Sequence, residues 1–555
     1  MTDKNELVFV PLGGVGEIGM NLALYGYGPP AKREWIMVDC GVTFPGPDLP
    51  GVDLVLPDIG FVEEERANLR AIVITHAHED HYGALAALWP GLNCPVYVTP
   101  FTAGMLEAKR AYEKERSEVP VTIYRPGETF RTGPFEIEAI AVNHSIPEPV
   151  SLAITTPAGR VIHTGDWKID DAPTLLPKTN AARFMALGDE GVLALICDST
   201  NAMRGGVSPS EREVSAGLQR VIEKAEGRVA ITTFSSNVGR IRSIAEAARD
   251  AGRQCLLLGS SIKRVVDVAT DLGIMEGLPP FIAEDEFGYI PRDKVVVILT
   301  GSQGEPRAAL AKIARDEMRH VAFAPGDTVV FSSRTIPGNE KAILEIMNGL
   351  IDRGIKVVTD ADELVHVSGH PRRAELQEMY QWVRPQILVP VHGEAAHLTA
   401  HGELARASGI SQVPRLRNGQ VLRLAPGPAE VVDEAPFGRV YKDGRLIGDF
   451  DEMGIGERRK LSFVGHVAVN ILLDQKYELM RDPHVVTLGV PAFDEEGDDI
   501  ADLFVDAAIG AVDSIPRARR KDLDTVRESV RRAIRAEAGS AWGKKPVTTV
   551  FITRV

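Results

Sequence analysis

The stretch "AIVITHAHEDHYG" (residues 71–83) decides both the fold and the chemistry. Ala71 to Ile74 read as the end of a buried strand. Five of the next six side chains from His76 to His81 are ionisable. Desolvation and mutual repulsion oppose such crowding unless a cation neutralises it. In extended chain, residues i and i+2 point the same way, so His76 and His78 can share one ligand. Asp80 and His81 stand just before "GALAAL", at a helix start, and aim at a second point. His-x-His-x-Asp-His thus suits two adjacent metal ions. Imidazole and carboxylate together fit zinc or manganese better than calcium.

Other strand exits supply more ligands. His144 follows "AIAV", Asp166 follows "VIHTG", and His392 closes "ILVPV". Strand ends gather at one edge of a sheet, so these three can join the histidine-rich loop. His163 lies within its strand and reads as structural. His397, His401, His320, His466 and His484 have no ligand-like setting.

Short apolar runs separated by turns fill residues 7 to about 200, which predicts two packed sheets with flanking helices. From 207 to 360 strands such as "RVAITT" and "KVVVILT" alternate with helices, which predicts a parallel α/β sheet. Residues 361–430 return to the first domain. Residues 431–454 are rich in charge and turn residues and read as a linker. Residues 455–555 form a last small α+β unit, predicted as strand (462–474), strand (484–490), helix (500–513), helix (521–537) and strand (546–553). Its stretch 517–555 holds eleven Lys/Arg against four Asp/Glu, which reads first as a solvated face.

"GGVGEIG" with Asp39 twenty residues beyond Gly19 matches a dinucleotide fingerprint on paper. The fingerprint needs a helix, but "MNLALYGYGPPAKRE" reads as strand and hairpin. The glycines instead predict a tight turn at the floor of the site.

The 555 residues are 44% hydrophobic and 25% charged, ordinary for a soluble globular chain. The net charge of -15 argues against a simple nucleic-acid coating role, though not against a local cleft. Four scattered cysteines without CxxC spacing predict a reducing compartment. No signal peptide or membrane span is visible, so a cytoplasmic enzyme is expected.

Asp39, the "HAHEDH" block, His144 and Asp166 together resemble the metallo-β-lactamase superfamily. The inserted α/β segment and His392 resemble its β-CASP branch. "PLGGVGEIGMN" (11–21), "DSTN" (198–201), "TGSQGEP" (300–306), "VSGHP" (367–371) and "VPVHGE" (389–394) are similar to bacterial ribonuclease J, over nearly the whole chain. The resemblance implies an αββα metallo-β-lactamase sandwich (1–206 and 361–430), an inserted Rossmann-like β-CASP domain (207–360), and a small C-terminal domain.

It also implies roles. His76, His78 and His144 would hold one divalent ion, most simply zinc, with manganese or magnesium as alternatives. Asp80, His81 and His392 would hold the other, Asp166 would bridge, and Asp39 would orient a ligand from behind. Asp198, His370 and His392 match the three β-CASP motifs, and histidine in the third favours RNA over DNA. His370, Asp80 and Asp198 are the catalytic candidates. A pair of such ions suits in-line displacement at a phosphodiester, and loss of the 3′-oxygen leaves a 5′-phosphate product. His370 would stabilise the developing charge or protonate the leaving oxygen. Ser235, Ser236, Asn237, His366 and Ser368 would receive a 5′-monophosphate.

The implied activity is a 5′-to-3′ exonuclease on monophosphorylated RNA with endonuclease capacity, serving RNA maturation and decay. Implied partners are single-stranded RNA, a second copy through the C-terminal domain, and other RNA-decay proteins, with no membrane. A thioesterase of the same superfamily and a non-catalytic scaffold are the rivals.

Overall fold

The computed structural model describes residues 5–113, 118–175, 177–336 and 338–555. The chain packs as two compact units. One takes the residues up to Thr43 together with Leu56–Arg439; the other takes Phe44–Val55 together with Val440–Val555.

Two sheets face each other in the first unit. The first orders eight strands as Glu430–Glu434, Gln420–Ala425, Glu6–Gly13, Leu22–Gly28, Glu34–Val38, Leu69–Val73, Val96–Val98 and Val121–Ile123. The second orders six as Ile387–Val391, Ala194–Asp198, Gly159–His163, Val150–Thr156, Phe135–Ala141 and Thr129–Thr132. Phe9, Val38, Val73, Ile137, Leu152, Ile196 and Val389 pack between them as one buried core. Helices Ala181–Glu190, Arg373–Val383 and Ala395–Ala407 cover the outer face of the second sheet through Phe184, Leu376, Met379 and Leu404. This is the αββα sandwich.

Register decides where the site forms. Glu34–Val38 runs parallel to Leu69–Val73 with Val38 opposite Val73, so Asp39 and the Thr75–His76 pair leave the sheet together. Ala194–Asp198 runs parallel to Ile387–Val391 with Asp198 opposite Val391, so Asp198 and His392 leave the other sheet side by side. His163 pairs with Ile196, which brings Asp166 to the same edge.

The inserted segment builds a five-stranded parallel sheet in the order Gln254–Leu258, Val295–Leu299, Val229–Thr232, Thr328–Phe331, Lys356–Val358. It stays within the first unit by packing. A buried ionic network joins it to the sandwich. Arg240, on helix Val238–Asp250, donates to Glu211 at 2.8 Å and to Ser332 Oγ at 2.7 Å. Glu211 also faces Lys168 at 3.7 Å, and Lys168 lies 3.0 Å from Asp170. Removing one charge from such a network leaves the others buried without compensation. Glu211→Gln should therefore destabilise the unit by about 3–5 kcal/mol, read as an earlier denaturant midpoint.

In the second unit, helices Ile500–Asp513 and Leu523–Ala541 pack on a sheet ordered His484–Leu488, His466–Leu473, Val547–Arg554. Val526, Val530, Ile534 and Ala538 are buried on one face of the longer helix, at the four-residue spacing of an amphipathic helix.

Three local expectations change. Residues 462–464, read as strand, close helix Ile455–Val464, which Gly465 ends at φ 66°. The stretch read as a linker contains strands: Glu430–Glu434 pairs with Gln420–Ala425, and Arg439–Asp443 pairs with Leu446–Gly448. Residues 44–55 belong with the second unit, where the Asp53 N–H donates to the Lys442 carbonyl at 2.9 Å.

Candidate metal centre

The strand Leu69–Val73 delivers Thr75 to the edge, and the chain stays extended through His78 before helix Glu79–Tyr82 begins. The extended part puts His76 and His78 on one point; the helical turn sends Asp80 and His81 to another. Ligand atoms of His76, His78, His144 and Asp166 lie within 4.8 Å of one another, as do those of Asp80, His81, Asp166 and His392. Asp166 belongs to both sets.

Hydrogen bonds behind the rings fix which nitrogen faces inward. His144 Nδ1 donates to the Gly369 carbonyl at 2.7 Å. His81 Nδ1 donates to Asp39 Oδ2 at 2.7 Å. His392 Nδ1 lies 3.1 Å from Asn21 Oδ1 and 3.3 Å from Asp166 Oδ1. The Thr75 hydroxyl donates to the Asp39 carboxylate at 2.9 Å and so accepts from His76 Nδ1 at 3.0 Å. His78 Nε2 stands 3.0 Å from Ser236 Oγ. With those protons turned outward, three lone pairs converge. His76 Nε2 lies 3.1 Å from His78 Nδ1, which lies 3.0 Å from His144 Nε2. Ligand nitrogens around one tetrahedral zinc sit about 3.3 Å apart. Three lone pairs this close, and a buried Asp166 Oδ1 without a hydrogen-bond partner among the described residues, fit a bound cation.

The protonation states of the first set agree, whereas His81 of the second is pressed down by burial but lifted well above the ordinary imidazole range by Asp166, Asp80 and Asp39. Burial, then the neighbouring His81 and His78, hold His76 well below the ordinary imidazole range. Burial and His78 do the same to His144, and burial brings His78 to about 4. All three are neutral near pH 7 and need expel no proton to bind metal. Burial opposes ionisation of Asp166, but His392, His81 and His370 override it and hold its carboxyl well below the carboxylate range.

Asp39 lies behind the ligands, touching His81 directly and His76 through Thr75. Its backbone adopts φ 64°. His370 Nδ1 lies 2.7 Å from Asp198 Oδ2 and 3.9 Å from Asp166 Oδ2. The glycine turn is where the sequence predicts it: the carbonyl of Gly14 (φ 80°) accepts the His392 N–H at 2.7 Å, and no helix follows. His163 bonds the Tyr25 hydroxyl at 2.8 Å inside the core.

The five residues expected around a phosphate divide. Ser236 touches His78, and Ser368 Oγ accepts from Asn201 at 2.9 Å. Asn237 Oδ1 caps helix Val238–Asp250 by accepting the Arg240 N–H at 2.9 Å. His366 is half-buried, and its buried Nδ1 lacks a hydrogen-bond partner among the described residues. Ser235 is half-buried and makes no side-chain hydrogen bond among the described residues.

Sequence reasoning missed Asn21, Thr75, Asn201 and the Gly369 carbonyl as orienting groups. Thr75 immediately precedes the first ligand, and Asn21 closes the glycine turn; adjacency was the available signal. At Gly369 a Cβ would stand 2.5 Å from His144 Nδ1. Gly369→Ala should push that ring aside and lower metal affinity by about 10- to 100-fold, measured by competition with a chromogenic chelator.

Comparison with known proteins bears on this geometry. Residues 34–252 match the beta-lactamase superfamily domain, and residues 354–413 the Zn-dependent metallo-hydrolase RNA specificity domain. Residues 226–350 match the ribonuclease J beta-CASP domain, and residues 453–555 the ribonuclease J C-terminal domain. Ribonuclease J of Sinorhizobium meliloti is 72% identical over 555 residues, covering 100% of this chain and 98% of the relative. The chain belongs to the ribonuclease J family. Ribonuclease J of Mycobacterium tuberculosis H37Rv is 37% identical, covering 98% of this chain and 96% of the relative. Ribonuclease J of Corynebacterium glutamicum is 36% identical, covering 98% and 75%. A crystal structure of a protein of unknown function from Enterococcus faecalis V583 shares the fold at 14% identity, TM-score 0.51, covering 75% of this chain and 100% of that one. Ribonuclease J proteins are metallo-hydrolases of the RNase class, and the ligand groups described above could hold a divalent metal. No helix among the described residues is long and apolar enough to cross a membrane.

Proposed function

We propose that this ribonuclease J holds two divalent ions, zinc by preference, and removes nucleotides from the 5′ end of monophosphorylated RNA, with internal cleavage as a second activity. The single observation that carries this reading is the double ligand set sharing Asp166, with the Asp198–His370 pair beside it. His76, His78 and His144 hold one ion; Asp80, His81 and His392 hold the other; Asp166 serves both. Bound there, the pair supplies Lewis-acid activation of water and neutralises charge on the phosphodiester.

The chain's own groups do the rest. Asp39 and Thr75 keep His81 and His76 turned inward. Asp198 holds the His370 ring, whose proton goes to the leaving 3′-oxygen. Ser236 and Ser368 lie close to His78 and His370, which supports a phosphate-binding role beside the site, with His366 and the amide of Asn237 as further donors. That arrangement sets a short fixed reach from an RNA 5′ end to the ions, hence release of single nucleoside 5′-monophosphates. Residues 1–206 and 361–430 then carry the ions, 207–360 together with His366 and Ser368 the 5′ end, and 455–555 pairs the chain with a second copy. Four buried free thiols accord with work in the reducing cytoplasm.

End-labelled RNAs bearing 5′-hydroxyl, monophosphate or triphosphate test the proposal. The monophosphate should yield mononucleotides earliest and fastest, and chelation should stop release. Equal rates on all three ends would overturn the 5′-end preference. A thioesterase would leave every RNA intact, and a scaffold subunit would bind it without turnover.

A further inference from the structure

A group of cations stands outside the metal ligands, on the side of His370. Asn201, in the turn after strand Ala194–Asp198, donates through Nδ2 to Ser368 Oγ at 2.9 Å and to the His370 carbonyl at 3.0 Å. Its Oδ1 accepts from Arg334 Nη1 at 3.5 Å. The same turn continues to Arg204, whose carbonyl accepts the Arg373 N–H at 2.9 Å, and to Val207, whose carbonyl accepts from Arg372 Nη1 at 3.1 Å. Arg204, Arg334 and Arg372 therefore come from three separate segments to one rim, tied to the backbone of His370.

Their charges are poorly compensated. None of the three makes an ion pair with a carboxylate within 4.0 Å among the described residues, and Arg204 and Arg334 are exposed. Partial burial and then Arg372 lower the Arg204 guanidinium, and partial burial and then Arg204 lower that of Arg334. Among the described residues Asp360 offsets both. The chain carries 77 Asp and Glu against 62 Lys and Arg, yet it brings three arginines without a carboxylate partner among the described residues to one rim. Guanidinium forks match phosphate oxygens in geometry and charge. A polyanion lying across the rim would relieve the repulsion that the free chain carries.

We propose that Arg204, Arg334 and Arg372 form a site for the phosphodiester backbone of RNA, gripping phosphate outside the metal ligands next to the cleaved nucleotide. The identity of the polyanion rests on the RNA reading above; the presence of an anion site does not.

The test uses full-length enzyme with its metals and a 5′-monophosphorylated 12-nucleotide RNA, with kcat/KM followed over a range of salt concentrations. Each phosphate contact on a single strand contributes a slope of about 0.7 in log–log form. Arg204→Gln with Arg334→Gln should make the salt dependence shallower by about 1.4 and raise KM at least roughly tenfold. Arg204→Lys with Arg334→Lys should restore most of the slope, which a purely structural role would not do. Arg319→Gln makes the same charge change before strand Thr328–Phe331, at the opposite end from Arg334, and should leave the slope alone. An unchanged slope and KM in the double glutamine variant, with wild-type RNA turnover intact, would overturn the proposal and leave the cluster to an acidic protein segment. Failure of the wild type to cleave RNA would instead sink the nuclease reading.

Discussion

Asp166→Ala should empty both ligand sets and reduce RNA cleavage by on the order of 10⁴-fold. The carboxylate is buried at the centre of the cluster. Its Oδ2 faces His81 at 3.2 Å, His144 at 3.5 Å and His76 at 3.8 Å, while Oδ1 faces His392 at 3.3 Å. No other described side chain serves both sets. The alanine chain would keep five imidazoles around a point with no bridging anion to balance two dications. Its metal content, measured by mass spectrometry after gel filtration, should fall below one ion per chain. Circular dichroism should be unchanged, because the strands that carry the ligands are packed by Val38, Val73, Ile196 and Val389 and not by the site. An alanine variant that retained two ions and wild-type turnover would remove the bridging role.

Loss of the His370 ring is the second large effect. His370→Ala should lower kcat by about 10²- to 10⁴-fold while leaving the metal content intact, because the ring is outside both ligand sets that share Asp166. Its protonation gives a further test. Burial presses the imidazolium down, but the Asp198 carboxylate 2.7 Å away and Asp166 beyond it lift its pKa to about 9. The protonated ring is the donor, so kcat should decline as pH rises through its pKa, which cations bound at Asp166 would bring down. Asp198→Asn removes the nearest stabilising anion; the pKa falls, and the descending limb moves to lower pH. His370→Ala should abolish that limb. A pH profile indifferent to both substitutions would remove His370 from proton transfer.

What could be read from residues alone followed from periodicity and adjacency. Strand exits at Thr75, Val142, His163 and Val391 announced the ligands, because apolar runs stop abruptly before polar ones. The hydrogen bonds that turn the rings inward were not readable. Asn21 meets Asp80 and His392, and His144 meets Gly369, only through chain pairings remote in sequence. Asn237 shows a different limit. A polar residue in a Ser-rich turn suits an anion pocket and a helix cap equally well, and its Oδ1 caps the helix. The same ambiguity hid the strand Glu430–Glu434. All five of its residues are exposed, so alternation of apolar and polar side chains was not there to be seen.

The order in which the ligands occur along the chain has a consequence for biosynthesis. His76, His78, Asp80 and His81 leave the ribosome early, while His392 and the strand that seats it beside Asp198 emerge only after the whole inserted sheet. No translational intermediate short of that point carries both ligand sets. Both sets are therefore completed only late in synthesis, after the inserted sheet and before the C-terminal unit.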